Sequence, residues 1–202
     1  MSEPRPVTLI TGASAGIGWA LAEVFAAHGD ELVLVARREA ALTRLADAIA
    51  ATGAPRPTVV GLDLAPAGAG ERVAAALAEH GLVPRCVVNN AGFGLIGPAA
   101  TLDRAEQLAM IDLNIRTLTD LSLAFMADLE RHRGGLLNVA SVAGFVSGPG
   151  MAVYYATKAY VVSFTEALHA EMIRAACASP HCVPARCRPN SRTAPASRGG
   201  QA

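Results

Sequence analysis

Two side chains that could exchange a proton stand four residues apart in the C-terminal half of the chain. Tyr154 and Lys158 occur in the run Tyr-Tyr-Ala-Thr-Lys, and Ser141 lies thirteen positions before Tyr154. A spacing of four places both side chains on one face of a helix, so the lysine ammonium can lie beside the phenol and favour its ionised form. A phenol held in this way is a usable general acid or base near neutral pH.

A glycine-rich turn near the N-terminus could hold the phosphates of a nucleotide. It follows the apolar, β-prone segment 7–10 and precedes a helical pattern, and it reads Thr11-Gly12-Ala13-Ser14-Ala15-Gly16-Ile17-Gly18. Its glycines allow a sharp turn and let a pyrophosphate approach the amide groups at the positive end of the helix dipole. A purely structural turn is the alternative for this motif alone. Together with the tyrosine and the lysine, the turn predicts nicotinamide-dependent redox chemistry.

The elements that must position these residues alternate along the chain. Hydrophobic periodicity predicts strands at 7–11, 31–37, 58–62, 85–89 and 135–140, and helices at 16–28, 39–51, 69–79, 103–131 and 151–174. Alternating strands and helices indicate an α/β fold with a Rossmann-like, doubly wound parallel sheet. In such a fold the cofactor lies at the carboxyl ends of the strands.

Composition indicates a single α/β domain, which we place at residues 1–174. The chain has 202 residues, of which 52% are hydrophobic, and its 17 basic and 17 acidic side chains balance. A zero net charge gives no indication of nucleic acid or an anionic membrane as a partner. The N-terminus is polar and has no signal-peptide pattern, so we expect a cytoplasmic protein acting on a small molecule.

The chain resembles the short-chain dehydrogenase/reductase family over roughly residues 5–173. Five motifs agree in their order along the chain: the glycine turn at 11–18, Asp63 after the third strand, Asn89-Asn90-Ala91-Gly92 after the fourth, Asn114 in the next helix, and Ser141 with Tyr154 and Lys158.

The resemblance implies an oxidoreductase that moves a hydride between a nicotinamide and a carbonyl or alcohol. In this family pattern Tyr154 is the general acid/base, and Ser141 hydrogen-bonds the reacting oxygen. Lys158 supports the tyrosine and holds the nicotinamide ribose, while Asn114 anchors a water that links the lysine to solvent. Tyr155 is also close to Lys158, but the family pattern selects Tyr154.

The end of the second predicted strand bears on the choice of cofactor. Arg37 stands where NAD-preferring relatives place an aspartate on the ribose hydroxyls, and an arginine there suits a 2′-phosphate, with Ser14 as a second contact. The alternative is a solvated arginine pair. We therefore predict NADP. The predicted cofactor-binding residues are Thr11, Gly12, Ser14, Gly16, Ile17, Gly18, Arg37, Asp63, Asn90, Ala91, Gly92, Tyr154 and Lys158, and no metal site is predicted.

The last residues depart from the family pattern. After Glu171 the sequence has no Asp, Glu, Lys, Leu, Phe, Tyr or Trp, so we expect a disordered tail at 175–202 and a sheet that lacks its last two strands. One explanation is a shifted reading frame, because permitted codons for 176–191 read two bases in give the strand-like V-R-V-T-A-L-C-P-G-P-V-P-T-E-F. A natural tail and a metal site at Cys177, His181, Cys182 and Cys187 are alternatives. Because the missing strands would leave the strand at 135–140 as an exposed apolar edge, we expect this chain to be poorly soluble or to bind NADP only weakly, with little or no activity.

Two other functional outcomes are compatible with the sequence. The same fold could bind a nucleotide without turnover, although the intact catalytic set argues against it, and a damaged gene would give an inactive product. Relatives pair through the helices at 103–131 and 151–174, which implies a homodimer or homotetramer. The segment 92–98 suggests only an apolar wall for the substrate.

Overall fold

A computed structural model describes residues 3–178, and it has a five-stranded, wholly parallel sheet between two layers of helices. The sheet order is β3-β2-β1-β4-β5, which confirms the predicted doubly wound α/β fold. The strands are β1 (Arg5–Thr11), β2 (Leu32–Ala36), β3 (Thr58–Gly61), β4 (Leu82–Asn89) and β5 (Gly135–Asn138). The α-helices are α1 (Gly16–Ala27), α2 (Glu39–Ala51), α3 (Ala69–Glu79), α4 (Arg104–Ile111), α5 (Leu118–Ala124), α6 (Met126–Arg131) and α7 (Ala152–Ala178).

The central strands of the sheet are buried on both faces because helices cover each side. Consecutive residues of β1 show this division, since Leu9 belongs to the core beneath α3 and α5, while Ile10 belongs to the core beneath α1 and α2. All five residues of β2 are buried. A central parallel strand of this kind reads as a continuous apolar run rather than as an alternating pattern.

β4 begins three residues earlier than the sequence predicts. Pro84 lies inside the strand, and its missing N–H argues against a central position. The pairing of β4 with β1 accommodates it through a register shift, since Val7 pairs with Pro84 whereas Thr8 pairs with Cys86. This bulge lets the strand continue past the proline.

The single helix predicted at 103–131 is wrong in detail. The segment consists of α4, a π-helical turn at Asp112–Thr117, α5 and α6, with a break at the buried Phe125. The π turn holds the buried Asn114, whose side chain bonds to backbone and side-chain groups of other segments. Hydrophobic periodicity does not register such a turn, because the residues around it keep a helical spacing.

Residues 3–165 belong to one compact unit, and the described residues that follow, 166–178, belong to a second. The second unit is described as far as residue 178, where α7 ends. The rest of the predicted tail, residues 179–202 with His181, Cys182 and Cys187, lies outside the described residues. The domain boundary at 174 therefore stays a prediction. No helix within residues 3–178 is long and apolar enough to span a membrane.

Candidate active site

A cleft of about 630 Å³ opens at the carboxyl ends of the strands. β1 and β4 are neighbours in the sheet, and the connection from β1 leads towards one edge of the sheet whereas the connection from β4 leads towards the other. In open α/β sheets nucleotides bind at this point of reversal. Ten predicted site residues line the cleft: Gly12, Ser14, Ile17, Arg37, Asp63, Asn90, Ala91, Gly92, Tyr154 and Lys158. The other predicted residues, Thr11, Gly16, Gly18, Asn114 and Ser141, are not among those that line it.

Thr11 and Asn90 tie the glycine turn to the end of β4. The buried hydroxyl of Thr11 accepts bonds from the backbone N–H groups of Asn90 (3.0 Å) and Ala91 (3.1 Å), and donates to the carbonyl of Val88 at 3.2 Å. The Asn90 amide nitrogen donates to the carbonyls of Thr11 (2.9 Å) and Gly12 (3.2 Å). Both residues therefore shape the floor of the cleft through backbone contacts.

Two glycines of the turn are required by this close packing. Gly12 has a φ of +66°, and a Cβ there would lie 2.8 Å from the Cα of Ala91. A Cβ on Gly18 would lie 2.4 Å from the Asn90 amide nitrogen and 2.6 Å from the Gly12 carbonyl oxygen. Any side chain at either position would push the turn away from β4.

The cleft ends on one side in a cationic corner that follows β2. Arg37 and Arg38 are both exposed and both line the cleft. Arg38, not Arg37, contacts the glycine turn, since its Nη2 and Nε donate to the Ser14 hydroxyl at 3.1 and 3.3 Å. Arg38 was not predicted as a site residue, although its position directly after Arg37 could have indicated it. Two guanidinium groups and a hydroxyl suit a phosphate.

Tyr154 and Lys158 lie together at the other end of the cleft. The Lys158 Nζ is 5.9 Å from the centre of the Tyr154 ring and donates to the carbonyl of Val139 at 2.7 Å. Lys158 is only 8% exposed, and this burial lowers the pKa of its ammonium. A Cβ on Gly94 would lie 3.0 Å from the Tyr154 ring, so the loop after β4 packs against that ring.

Tyr155 has a different environment from Tyr154. A Cβ on Gly148 would lie 2.3 Å from Cζ of Tyr155, so this ring packs directly on the backbone of the loop after β5. Tyr155 is not among the residues that line the cleft, whereas Tyr154 is. The two rings meet edge to face at 6.3 Å.

Ser141 caps a short turn after β5. It precedes the 3₁₀ turn Val142–Gly144, and its half-buried hydroxyl accepts the N–H of Ala143 at 3.2 Å. This contact uses the hydroxyl as an acceptor, so its proton can still be donated to another oxygen.

Asn114 connects three parts of the site from inside the π turn. Its amide nitrogen donates to the carbonyl of Phe93 (2.9 Å) and to the Thr157 hydroxyl (3.1 Å), and its oxygen accepts the N–H of Phe93 at 3.1 Å. Thr157 directly precedes Lys158 on α7. Asn114 therefore holds the loop after β4 against the helix that carries Tyr154 and Lys158.

A chain of hydrogen-bonded, buried amides lies beneath the site and was not predicted from the sequence. Asn89 donates to the side-chain oxygen of Asn138 at 2.9 Å, and Asn138 donates to the Thr165 hydroxyl at 2.9 Å. This chain links β4, β5 and α7 one residue before Val139, whose carbonyl receives Lys158. Asn89 ends the fourth predicted strand and Asn138 lies in the fifth. Because buried amides need hydrogen-bond partners, these two asparagines could have indicated the chain of bonds.

Comparison with known proteins identifies, over most of the chain, the same family that the sequence motifs resemble. The family model described as short chain dehydrogenase matches residues 6–194, which extends past residue 173, where the resemblance of the motifs ends. A curated relative, sulfoacetaldehyde reductase 2 from Chromohalobacter salexigens, is 37% identical over 169 residues that cover 82% of this chain. The matched part spans 66% of that reductase, just under two thirds of its length.

Two similar solved structures contain different cofactors. A short-chain dehydrogenase from Sphingobium yanoikuyae in complex with NADPH is 33% identical, with a TM-score of 0.76 over 84% of this chain and 66% of that one. A short chain dehydrogenase/reductase from Burkholderia phymatum in complex with NAD is 31% identical, with a TM-score of 0.78 over 87% of this chain and 63% of that one. Proteins of this fold and similarity thus bind either nicotinamide dinucleotide.

Proposed function

Since the chain belongs to the short-chain dehydrogenase/reductase family, whose members are nicotinamide-dependent oxidoreductases, we propose that it is an NADP-dependent enzyme with Tyr154 as its general acid/base. It interconverts a carbonyl compound and an alcohol. The observation that carries the proposal is the pairing of Tyr154 with the buried Lys158 at one end of the cleft whose other end holds two arginines.

The residues present fit a dinucleotide. The glycine turn at the start of α1 presents backbone amides for a pyrophosphate, and Asp63 after β3 lines the same cleft. Arg37 and Arg38 supply positive charge where a 2′-phosphate would lie, and Lys158 reaches the cleft where the nicotinamide ribose would lie. When bound, NADPH supplies the hydride that adds to the carbonyl carbon.

The chain's own side chains handle the proton. During reduction Tyr154 donates its phenolic proton to the carbonyl oxygen, and Ser141 donates a hydrogen bond to the same oxygen as negative charge develops on it. The phenolate that remains on Tyr154 is stabilised by the Lys158 ammonium, which donates to the Val139 carbonyl and is held in place by it. Lys158 then passes a proton to this phenolate and regains one from solvent through a water that Asn114 would anchor. Oxidation of an alcohol runs the same steps in reverse.

The arginine pair favours NADP over NAD. Arg37 would be the primary contact to the 2′-phosphate, and Arg38, already bonded to Ser14, would close the corner beside it. A charge-assisted hydrogen bond is about twice as strong as a neutral one, and no carboxylate among the described cleft residues follows β2 to bind ribose hydroxyls instead.

A titration combined with turnover tests the proposal. NADPH should bind with enhanced nicotinamide fluorescence and more tightly than NADH, and bound NADPH should be oxidised when an aldehyde or ketone is added. Binding without oxidation across a broad carbonyl panel would leave a nucleotide-binding protein. Absence of binding would contradict the proposed function altogether.

A further inference from the structure

Two loops that flank Tyr154 contain no charged residue. We define loop A as residues 90–102, which follow β4, and loop B as residues 139–151, which follow β5. Neither contains Asp, Glu, Lys, Arg or His. The loops are joined by a hydrogen bond from the Gly97 N–H to the Gly150 carbonyl at 2.7 Å, so they form one continuous wall.

This wall exposes large apolar side chains. Their exposed fractions are 37% for Phe93, 83% for Ile96, 86% for Val142, 71% for Phe145 and 65% for Val146. Val142 directly follows Ser141, and Gly94 of loop A contacts the Tyr154 ring, so the wall begins at the proposed reacting groups. Of these five side chains Phe93 lines the cleft, and exposed apolar side chains that continue from a cleft indicate a binding surface.

The charges of the cleft lie elsewhere. Arg37, Arg38 and Asp63 follow β2 and β3, on the opposite side of β1 from β4 and β5. The Lys158 ammonium is buried and already donates to Val139. The first turn of α7 adds only the partial charge of a helix dipole, which is a weaker attraction than a guanidinium.

We infer that the substrate is a neutral, largely apolar aldehyde or ketone, not one that carries a carboxylate, sulfonate or phosphate. Among the residues that the structure describes in the cleft, an anionic group bound beside loops A and B would find no cationic partner to replace its lost hydration, and such desolvation is costly. An apolar group there would cover exposed apolar surface, which begins at Phe93 in the cleft, and would so gain from the hydrophobic effect. This inference rests on the proposed oxidoreductase function and specifies its substrate class.

A matched pair of aldehydes tests the inference. Methyl 4-formylbenzoate and 4-formylbenzoate differ in size by one methyl group and in charge by one unit, and their rates with borohydride correct for intrinsic reactivity. With NADPH we expect kcat/KM for the ester to exceed that for the carboxylate by at least about tenfold. Equal values, or a preference for the carboxylate, would overturn the inference.

Charge introduced into the wall should reverse the preference. Val142→Lys and Phe145→Lys each place an ammonium on loop B, and we expect either variant to raise the carboxylate-to-ester ratio of kcat/KM by about tenfold. Val24→Lys is the matched control, because it adds the same charge at an exposed valine on α1, and it should leave the ratio unchanged. Light scattering on the same variants tests whether the wall instead contacts a second copy of the chain. A change of oligomeric state without a change of ratio would contradict the inference.

A binding measurement separates this inference from the proposed function. Saturation-transfer NMR on the protein with NADP⁺ reports binding of the ester and the carboxylate without turnover. If neither aldehyde is reduced but the ester alone binds, the proposed function fails and the inference about the wall stands. If the carboxylate binds as well as the ester, or if neither binds, the inference fails.

Discussion

Lys158 meets two opposing requirements. It must remain charged to stabilise a phenolate on Tyr154, yet burial lowers the pKa of its ammonium. The hydrogen bond to the Val139 carbonyl partly compensates, since a charged donor forms a strong bond to a carbonyl oxygen. A lysine in this setting can release and regain a proton more readily than one in solvent, which suits it to a proton relay.

The pKa of Lys158 can be measured directly, because it is the only lysine in the sequence. Protein labelled with ¹³C-lysine gives one Cε resonance, and we expect its titration midpoint to lie below the ordinary value of 10.5. A midpoint at or above that value would show that the ammonium is not desolvated. Spectra of Lys158→Met protein identify the resonance.

The same shift predicts the pH dependence of stability. Because the folded pKa lies below the unfolded one, the unfolded chain binds this proton more tightly, and the free energy of unfolding rises with pH across the window between the two values. In urea titrations the stability of the wild type relative to Lys158→Met should therefore increase as the pH is raised towards 10.5. A relative stability that falls over this window would contradict the assigned cause.

Arg37 governs the preference for NADP in this account. Arg37→Asp removes a charge-assisted contact of about 1.5–3 kcal/mol and adds repulsion, so we expect the ratio of NADPH to NADH affinity to fall by at least about tenfold. Arg38→Ala measures what the arginine bonded to Ser14 adds. Arg44→Asp, on the exposed side of α2, is the charge-matched control. An unchanged ratio in Arg37→Asp would show that this side chain faces only solvent.

At the scale of elements, the strands and a doubly wound parallel sheet could be predicted, but the contacts that join the strand ends could not. The glycine turn, the apolar runs and the alternation of strands and helices have strong local signals. The bonds of Thr11 to Val88, Asn90 and Ala91 span more than seventy residues, and nothing local to Thr11 indicates them. The π turn around Asn114 could not be predicted for the same reason, since the hydrogen-bond partners of Asn114 lie in other segments.

The buried Thr11 hydroxyl should contribute measurably to stability. Thr11→Val keeps the shape of the side chain but leaves two backbone N–H groups and one carbonyl without this partner, so we expect a loss of about 1–3 kcal/mol in the free energy of unfolding. Thr101→Val, at an exposed threonine that bonds only to Pro98, is the control and should change stability by less than about 0.5 kcal/mol. Equal losses in the two variants would mean that the Thr11 contacts do not hold the turn.

At the scale of the whole molecule, the fold leaves apolar side chains exposed on the helices that follow β4 and β5. Leu108 on α4, Leu123 on α5 and Tyr160 on α7 are all exposed. The sequence predicted that copies of the chain pair through these helices, on the strength of the family resemblance alone. Exposed apolar residues on the same helices support that expectation, because they would be covered by a second copy.

Light scattering tests the pairing. We expect the wild type to be a dimer or tetramer, and Leu108→Glu combined with Leu123→Glu to shift it towards the monomer, because charges would then be buried at the interface. Val24→Glu, on the exposed face of α1, should leave the assembly unchanged. A monomeric wild type would rule out the pairing.

The most direct test of the account compares two neighbouring tyrosines in the oxidation of NADPH by methyl 4-formylbenzoate. Tyr154→Phe should lower kcat by about 10²–10⁴, because it removes the general acid/base, while NADPH affinity changes little. Tyr155→Phe removes a hydroxyl from the adjacent ring, which packs on Gly148 outside the cleft, and should keep most of the activity. Substantial activity in Tyr154→Phe, or its loss in Tyr155→Phe alone, would contradict the central claim that Tyr154 exchanges the proton.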